Sequence, residues 1–314
     1  MSWKKTTAIV TLSLVWASFG LASRALADNP ASSADDLVAK HLDSIASAKV
    51  RAETRTRLAQ GPVQFKILVG GAGVLEGKAV LVSEGKKFQF MMKLPNNEYR
   101  GEQFIFDGDQ DKVAFATARQ NRSALGNFVF VQDMVIREGL LGGALSTAWP
   151  LLSLDERKPK LSFEGLKKID GEEVYELRYQ PRKKTDLDIR LYFDSQTYRH
   201  VETTYSYSVS LGFANLPASG GIAATPGSLD SGPGTVTMGA NAETAAARQQ
   251  PTRYLLREKF SDFKTVDGVT LPTHYDVQFT QELQSGRTTV SDWDLQGLEL
   301  KNNVPLDPRN FEVK

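Results

Sequence analysis

Residues 161–210 read LSFEGLKKIDGEEVYELRYQPRKKTDLDIRLYFDSQTYRHVETTYSYSVS, and the reading of this stretch decides the fold. Tyr175, Leu177 and Tyr179 alternate with Glu176, Arg178 and Gln180. Leu187, Ile189, Leu191 and Phe193 alternate with Asp188, Arg190 and Tyr192, and Val201, Thr203, Tyr205, Tyr207 and Val209 share one phase of Tyr198–Ser210. A period of two gives strands with one apolar and one wet face. The connections, Asp170-Gly171, Pro181–Asp186 and Asp194-Ser195-Gln196, are short and polar, which makes the strands antiparallel neighbours. The result is a meander whose apolar face must be covered.

The same grammar extends towards the N-terminus. Val63–Val69, Val74–Ser83, Lys86–Leu94, Glu98–Phe106 and Lys112–Ala118 each carry an apolar face. They are separated by Gly70–Gly73, Glu84-Gly85, Pro95–Asn97 and the hairpin signal Asp107-Gly108. Before them, Leu37, His41, Ile45 and Ala48 recur at helical spacing behind Ser33 and Asp36, predicting a helix over Ala34–Gln60 that Gly61-Pro62 ends. Between the two strand runs lies Ala124–Leu154, apolar and rich in Gly, Leu and Ala, read as one or two short helices lying on the sheet. It is either plain core packing or a mobile apolar lid, since Gly139, Gly142 and Gly143 suit hinges better than a rigid helix.

Towards the C-terminus, residues 211–250 hold Gly, Ala, Ser, Pro and Thr with almost no charge and no periodicity. They read as a disordered insertion, too long for an ordinary loop. Strands resume at Pro251–Val266, Val269–Leu283 and Arg287–Leu300, and Lys301–Lys314 reads as a polar tail. The fold class is therefore mainly β (α+β): a single large antiparallel sheet, interrupted by one excursion, with helices on one face.

Composition bounds the function. The chain has 314 residues, with 41% hydrophobic and 24% charged, ordinary values for a globular protein. Lys4 and Lys5, the apolar run Ala8–Ala22 and the small-residue pattern Ala25-Leu26-Ala27 make residues 1–27 a signal peptide. As an uncleaved anchor the run falls short of the roughly 20 residues a span needs. Without that leader the chain has 35 Lys and Arg against 37 Asp and Glu, a formal net of −2. Nothing in this balance points to nucleic acid, and no stable membrane span is expected after cleavage. There are 0 cysteines, which excludes disulfides, thiolate chemistry and a lipidated cysteine. Such a chain suits the bacterial periplasm, with residues 28–314 as one domain interrupted at about 211–250.

Catalytic and metal signatures are weak. His41, His200 and His274 lack a second histidine at metal spacing, with His41 on the helix and the other two on the polar phase of strands. Ser83-Glu84-Gly85-Lys86 falls in a hairpin turn, where the S-x-x-K motif needs a helix. Gly71, Gly73 and Gly77 lead from strand to strand rather than into a phosphate-binding helix. Asp107, Asp109 and Asp111 have calcium-loop spacing but lack the twelfth-position glutamate, so they read as a solvated hairpin tip. Asn121-Arg122-Ser123 is a glycosylation sequon of little meaning in a bacterial setting. No enzyme, metal or cofactor is predicted.

What remains is apolar surface. Phe65, Phe88, Phe90, Phe104, Phe106, Phe115, Met134, Trp149, Tyr175, Leu177, Leu191, Phe193, Tyr205, Tyr275 and Phe279 are the candidate lining of an apolar cavity. If the sheet curls and its covers do not fill it, such a cavity suits acyl chains.

Several phrases resemble the LolA/LolB-like outer-membrane lipoprotein-sorting carriers. They are Phe106-Asp107-Gly108, Lys168–Tyr175 (KIDGEEVY), Ile189–Asp194 (IRLYFD) with Thr197-Tyr198, and Phe260–Lys264 (FSDFK) before Asp267–Pro272 (DGVTLP). The resemblance covers about Asp35–Ser210 and Thr252–Phe311, and the 211–250 insertion is foreign to it. It implies an unclosed half-barrel with a helical lid around a hydrophobic cavity, and carriage of a lipid or acylated lipoprotein without catalysis. The same fold serves as an envelope sensor, so the alternative is a protein-interaction scaffold with a filled core and an envelope protein partner.

Overall fold

A computed structural model describes residues 30–116, 122–209 and 251–313. The expected signal peptide, the sequon asparagine Asn121 and the 211–250 insertion lie outside the described residues. Thirteen strands form one antiparallel sheet. They are β1 (Thr56–Val69), β2 (Val74–Glu84), β3 (Lys87–Lys93), β4 (Gly101–Phe106), β5 (Asp111–Ala116), β6 (Lys160–Ile169), β7 (Glu172–Gln180), β8 (Asp188–Asp194), β9 (His200–Val209), β10 (Thr252–Val266), β11 (Val269–Glu282), β12 (Thr288–Leu295) and β13 (Glu299–Asn302). Their order is β5-β4-β3-β2-β1-β12-β11-β10-β9-β8-β7-β6, with β13 also on β1. The strands on either side of residues 210–250, β9 and β10, are hydrogen-bonded neighbours.

The sheet is curled and open. Phe90 on β3 and Tyr275 on β11 have ring centroids 5.5 Å apart, although β2, β1 and β12 lie between them. A flat sheet would separate these strands by roughly 19 Å, at about 4.8 Å per step. The edge strands β5 and β6 do not pair among the described residues, so the half-barrel stays unclosed.

Helices cover the concave face. They are α1 (Ala34–Ile45), α2 (Ala48–Glu53), α3 (Ala124–Val131), α4 (Met134–Arg137) and α5 (Leu154–Arg157), with 3-10 turns at Gly143–Leu145 and Pro150–Ser153. The segment from α3 to α5 forms the lid, and its Leu125, Val129, Val135, Ile136, Leu140, Leu145 and Trp149 are buried against the strands.

Three local expectations are corrected. The N-terminal helix stops at Ile45, because Ser47 caps a second helix through the Val50 N–H, and β1 begins at Thr56. Gly61-Pro62 therefore lies inside a strand. Pro62 falls where β1 changes its second neighbour from β13 (at 57–60) to β12 (from 64), so its missing N–H breaks no ladder on that side. The C-terminal tail is structured: β13 pairs with β1, and a final 3-10 turn buries Phe311 beneath the Lys87 ammonium. His200 belongs to the inner face and is buried, because a bulge opposite Tyr192 and Phe193 shifts the phase of β9.

Candidate functional site

The fifteen aromatic and aliphatic candidates lie as follows. Phe88 and Phe90 face Phe106 and Phe104 across β3–β4, Phe65 faces Trp293, and Tyr175 and Leu177 face Phe193 and Leu191. Tyr205, Tyr275 and Phe279 stand on β9 and β11, and Met134 and Trp149 come down from the lid. All join one buried cluster except Phe115, which is half-buried on β5 with a left-handed φ of 70°. They touch one another and the lid. An open concavity beside them is lined by other residues.

That concavity is a groove of about 460 Å³ between α3 and the ends of β9, β10 and β11. Phe128 and Val131 from α3 form one wall, and Tyr207, Val209 and Tyr254 form the other. Phe279 connects the groove to the buried cluster, with its ring 5.3 Å from Phe128 and 6.3 Å from Tyr254. Arg122, Asn127, Gln132 and Gln281 line it as well, so the groove has an apolar body and a polar margin.

The half of the lid beyond α3 is bolted to the sheet and to α1 by buried and half-buried polar contacts. The Gly142 N–H donates to Glu258 Oε1 at 2.7 Å, and Tyr205 and Tyr275 donate their hydroxyls to the same carboxyl. Arg57 donates to the Ala144 carbonyl, Tyr179 to Glu138 Oε2 at 2.7 Å, and the Thr147 N–H to Ser83 at 2.8 Å. Trp149 donates its indole N–H to His41 Nε2 at 3.2 Å. Burial pushes the His41 imidazole down to about 4, so the ring is neutral. Its Nδ1 lies 3.1 Å from the Tyr198 carbonyl, which accepts only from an N–H, and the remaining nitrogen is then free to accept from Trp149. In contrast, α3 meets the sheet almost entirely through apolar side chains. Ser123 caps its own Gly126 N–H, and at the other end Gln132 accepts the Thr185 hydroxyl.

Glu258 and Glu102 are fully buried carboxyls on the concave face, and burial pushes both up to about 7. For Glu258 this happens despite three donors that favour the ionised form. Glu102 Oε1 accepts the Tyr99 hydroxyl at 2.7 Å, and that hydroxyl also accepts the Trp293 indole N–H at 2.9 Å. Neither residue is among the apolar candidates that the sequence points to. The signal was available, because Glu258 interrupts the apolar phase Tyr254–Leu256–Phe260 and Glu102 precedes Phe104 and Phe106 in phase. A charge where alternation demands a core residue marks a buried network.

The convex face holds a second polar arrangement. Ser261 Oγ lies 2.9 Å from His274 Nδ1, and His274 Nε2 lies 2.8 Å from Asp294 Oδ1. Beside it, burial and the neighbouring Asp292 push Asp276 up to about 7. The order of residue types resembles a hydrolase triad, but Ser261 lies on an open strand face. Ser261 and His274 are cross-strand partners within the β10–β11 ladder, on an exposed strand face. Among the described residues, no group of three His, Asp or Glu has metal-binding geometry, and no helix is long and apolar enough to cross a membrane. At the β4–β5 tip, Asp107 Oδ1 accepts the N–H groups of Asp109 and Gln110, the geometry of a turn.

No protein-family model matches the chain, and no curated protein does. Solved structures do. A DUF1329 family protein from Desulfovibrio piger shares 14% identity at a TM-score of 0.44, over 89% of this chain and 97% of that one. A LolA superfamily protein from Nitrosomonas europaea shares 16% at 0.43, over 90% and 98%. An outer membrane lipoprotein-sorting protein domain from Vibrio parahaemolyticus shares 10% at 0.39, over 87% and 97%.

Proposed function

We propose that this protein is a carrier or binding protein for a hydrophobic, acyl-bearing ligand, acting in the periplasm without catalysis, and that the ligand enters between α3 and β9–β11. The observation that carries this reading is the groove of about 460 Å³, walled by Phe128, Val131, Tyr207, Val209 and Tyr254 and continuous through Phe279 with the buried aromatic cluster. An acyl chain would bury its methylenes there at about 0.8 kcal/mol each. The apolar attachment of α3, against the polar bolts on the rest of the lid, makes α3 the part that yields to a ligand.

A specific observation also favours the second reading, an envelope sensor or interaction scaffold. The concave face is closely packed, with Trp149, Tyr205, Tyr275, Phe88 and Phe193 fully buried. On the carrier reading this is the ligand-free, closed form. Organic extraction and mass spectrometry of protein purified from its native envelope separate the two. The carrier reading expects an acyl-bearing molecule in near-stoichiometric amount, whereas a scaffold yields none and binds no fluorescent fatty acid.

A further inference from the structure

Five of the seven large apolar side chains exposed among the described residues lie at one end of the half-barrel. Leu68, Val69 and Val74 flank the glycine-rich β1–β2 turn and are 50, 46 and 60% exposed. Phe130 and Val131 at the end of α3 are 49 and 64% exposed. These two elements share an end, because the same rim carries the end of β1, the start of β12, the end of β11 and the start of β10. The groove under α3 opens there too.

The charges divide along the same axis. On this rim, residues 93–101, 122, 180–188, 253 and 282–288 carry eight Lys or Arg and four Asp or Glu. At the other end, residues 84–87, 106–111, 169–172, 194–200 and 266–269 carry three and eight. Arg182, Lys183 and Lys184 are consecutive and exposed, and the Arg122 guanidinium sits 3.5 Å over the exposed Phe130 ring. An exposed apolar patch of this kind marks a contact surface. Its ring of cations selects an anionic partner. Two separate apolar elements at one end, with cations around them, match the layering of a bilayer surface, where anionic headgroups lie above the acyl region.

We infer that this rim docks on the surface of an anionic lipid bilayer, with the 68–74 hairpin and the end of α3 inserted among the headgroups and the 182–184 cations on the lipid charges. The docked orientation sets the mouth of the groove against the membrane. The inference goes beyond ligand carriage and fails separately from it, because a soluble fatty-acid probe reads the groove and vesicles read the rim.

The test is flotation of the full chain with vesicles of phosphatidylcholine alone or mixed with phosphatidylglycerol, at low and high salt. Binding is expected on the mixed vesicles at low salt, to weaken with salt, and to be slight on the neutral vesicles. Replacing Arg182, Lys183 and Lys184 together by Gln lowers the partition coefficient about a hundredfold, at about fivefold per cation. L68E with V74E abolishes insertion, while L166E at another exposed apolar site has no effect. Circular dichroism checks that each variant is folded, and the fatty-acid probe checks that the groove is intact. No binding to mixed vesicles at low salt, equal binding to neutral ones, or rim variants that bind like the wild type would overturn the inference.

Discussion

The backbone N–H of Gly142 donates to Glu258 Oε1 at 2.7 Å, joining the middle of the lid to the middle of the sheet. Gly142 has a φ of 80°, and a Cβ there would stand 2.6 Å from Leu81, so only glycine brings this amide to the carboxyl without strain. Glu258 thus satisfies three buried donors at once. Truncation to Ala strands the Gly142 amide and both tyrosine hydroxyls. Glu258→Ala is expected to lower stability by about 3 kcal/mol, read as an earlier urea midpoint. A change within experimental error would mean that Glu258 does not hold the lid.

The same residue makes stability depend on pH. Its folded value is raised from 4.5 to about 7, so its contribution is fully present below about 4.5 and is lost as pH rises towards 7. The stability of the wild type relative to Glu258→Gln should therefore fall across this window, by on the order of 3 kcal/mol, and stay constant above it. The neutral His41, which acts in the opposite sense over part of this range, is common to both proteins and cancels. A difference that does not vary with pH would contradict the assignment.

Gly139 is a second obligatory glycine. With φ at 67°, its added Cβ would stand 2.1 Å from the Ala148 carbonyl oxygen. Gly139→Ala is expected to destabilise the protein by roughly 2 kcal/mol or more through strain and displaced backbone. Gly85→Ala, at a solvent-exposed turn with φ 57° and open space around it, meets only the backbone penalty and should be milder. Thermal melts of the two variants check the order, and equal losses would argue against close packing of the lid.

How much of this was legible in the sequence depended on whether neighbours could override local pattern. Strands with clean alternation and Asp-Gly turns, such as Glu172–Gln180 after Asp170-Gly171, are found within a residue or two. Gly61-Pro62 misled because proline is tolerated in a strand only where a pairing partner changes, and strand partners are not local information. His200 misled because a one-residue bulge reverses phase. The apolar candidates other than Phe115 form one buried cluster, and which positions border open space depends on how deeply the lid packs, which is not local information. Glu258 and Glu102 stand in the sequence as charges in the apolar phase, and that they are buried depends on the lid above them.

Tyr254 and Val131 face each other across the groove. Tyr254→Ala or Val131→Asp should weaken binding of a fluorescent fatty acid about tenfold or more, since each removes or charges a wall of the apolar body. Because both positions are partly exposed, melting temperatures should change little. Unaltered affinity in both variants would remove the groove from the binding path.

Ser261 offers a check on catalysis. Activated esters should be hydrolysed no faster with the protein than with Ser261→Ala, because Ser261 stands exposed on an open strand face. Saturable turnover lost in Ser261→Ala would make the Ser261–His274–Asp294 set an active site.

Photo-crosslinking of a diazirine fatty acid, with the labelled peptides mapped by mass spectrometry, tests the central claim most directly. Saturable labelling is predicted on α3 and on the strand ends carrying Tyr207 and Tyr254, competed by unlabelled fatty acid. Labelling that is absent, cannot be competed, or falls on other surfaces while these segments stay clean would contradict a ligand site beneath α3.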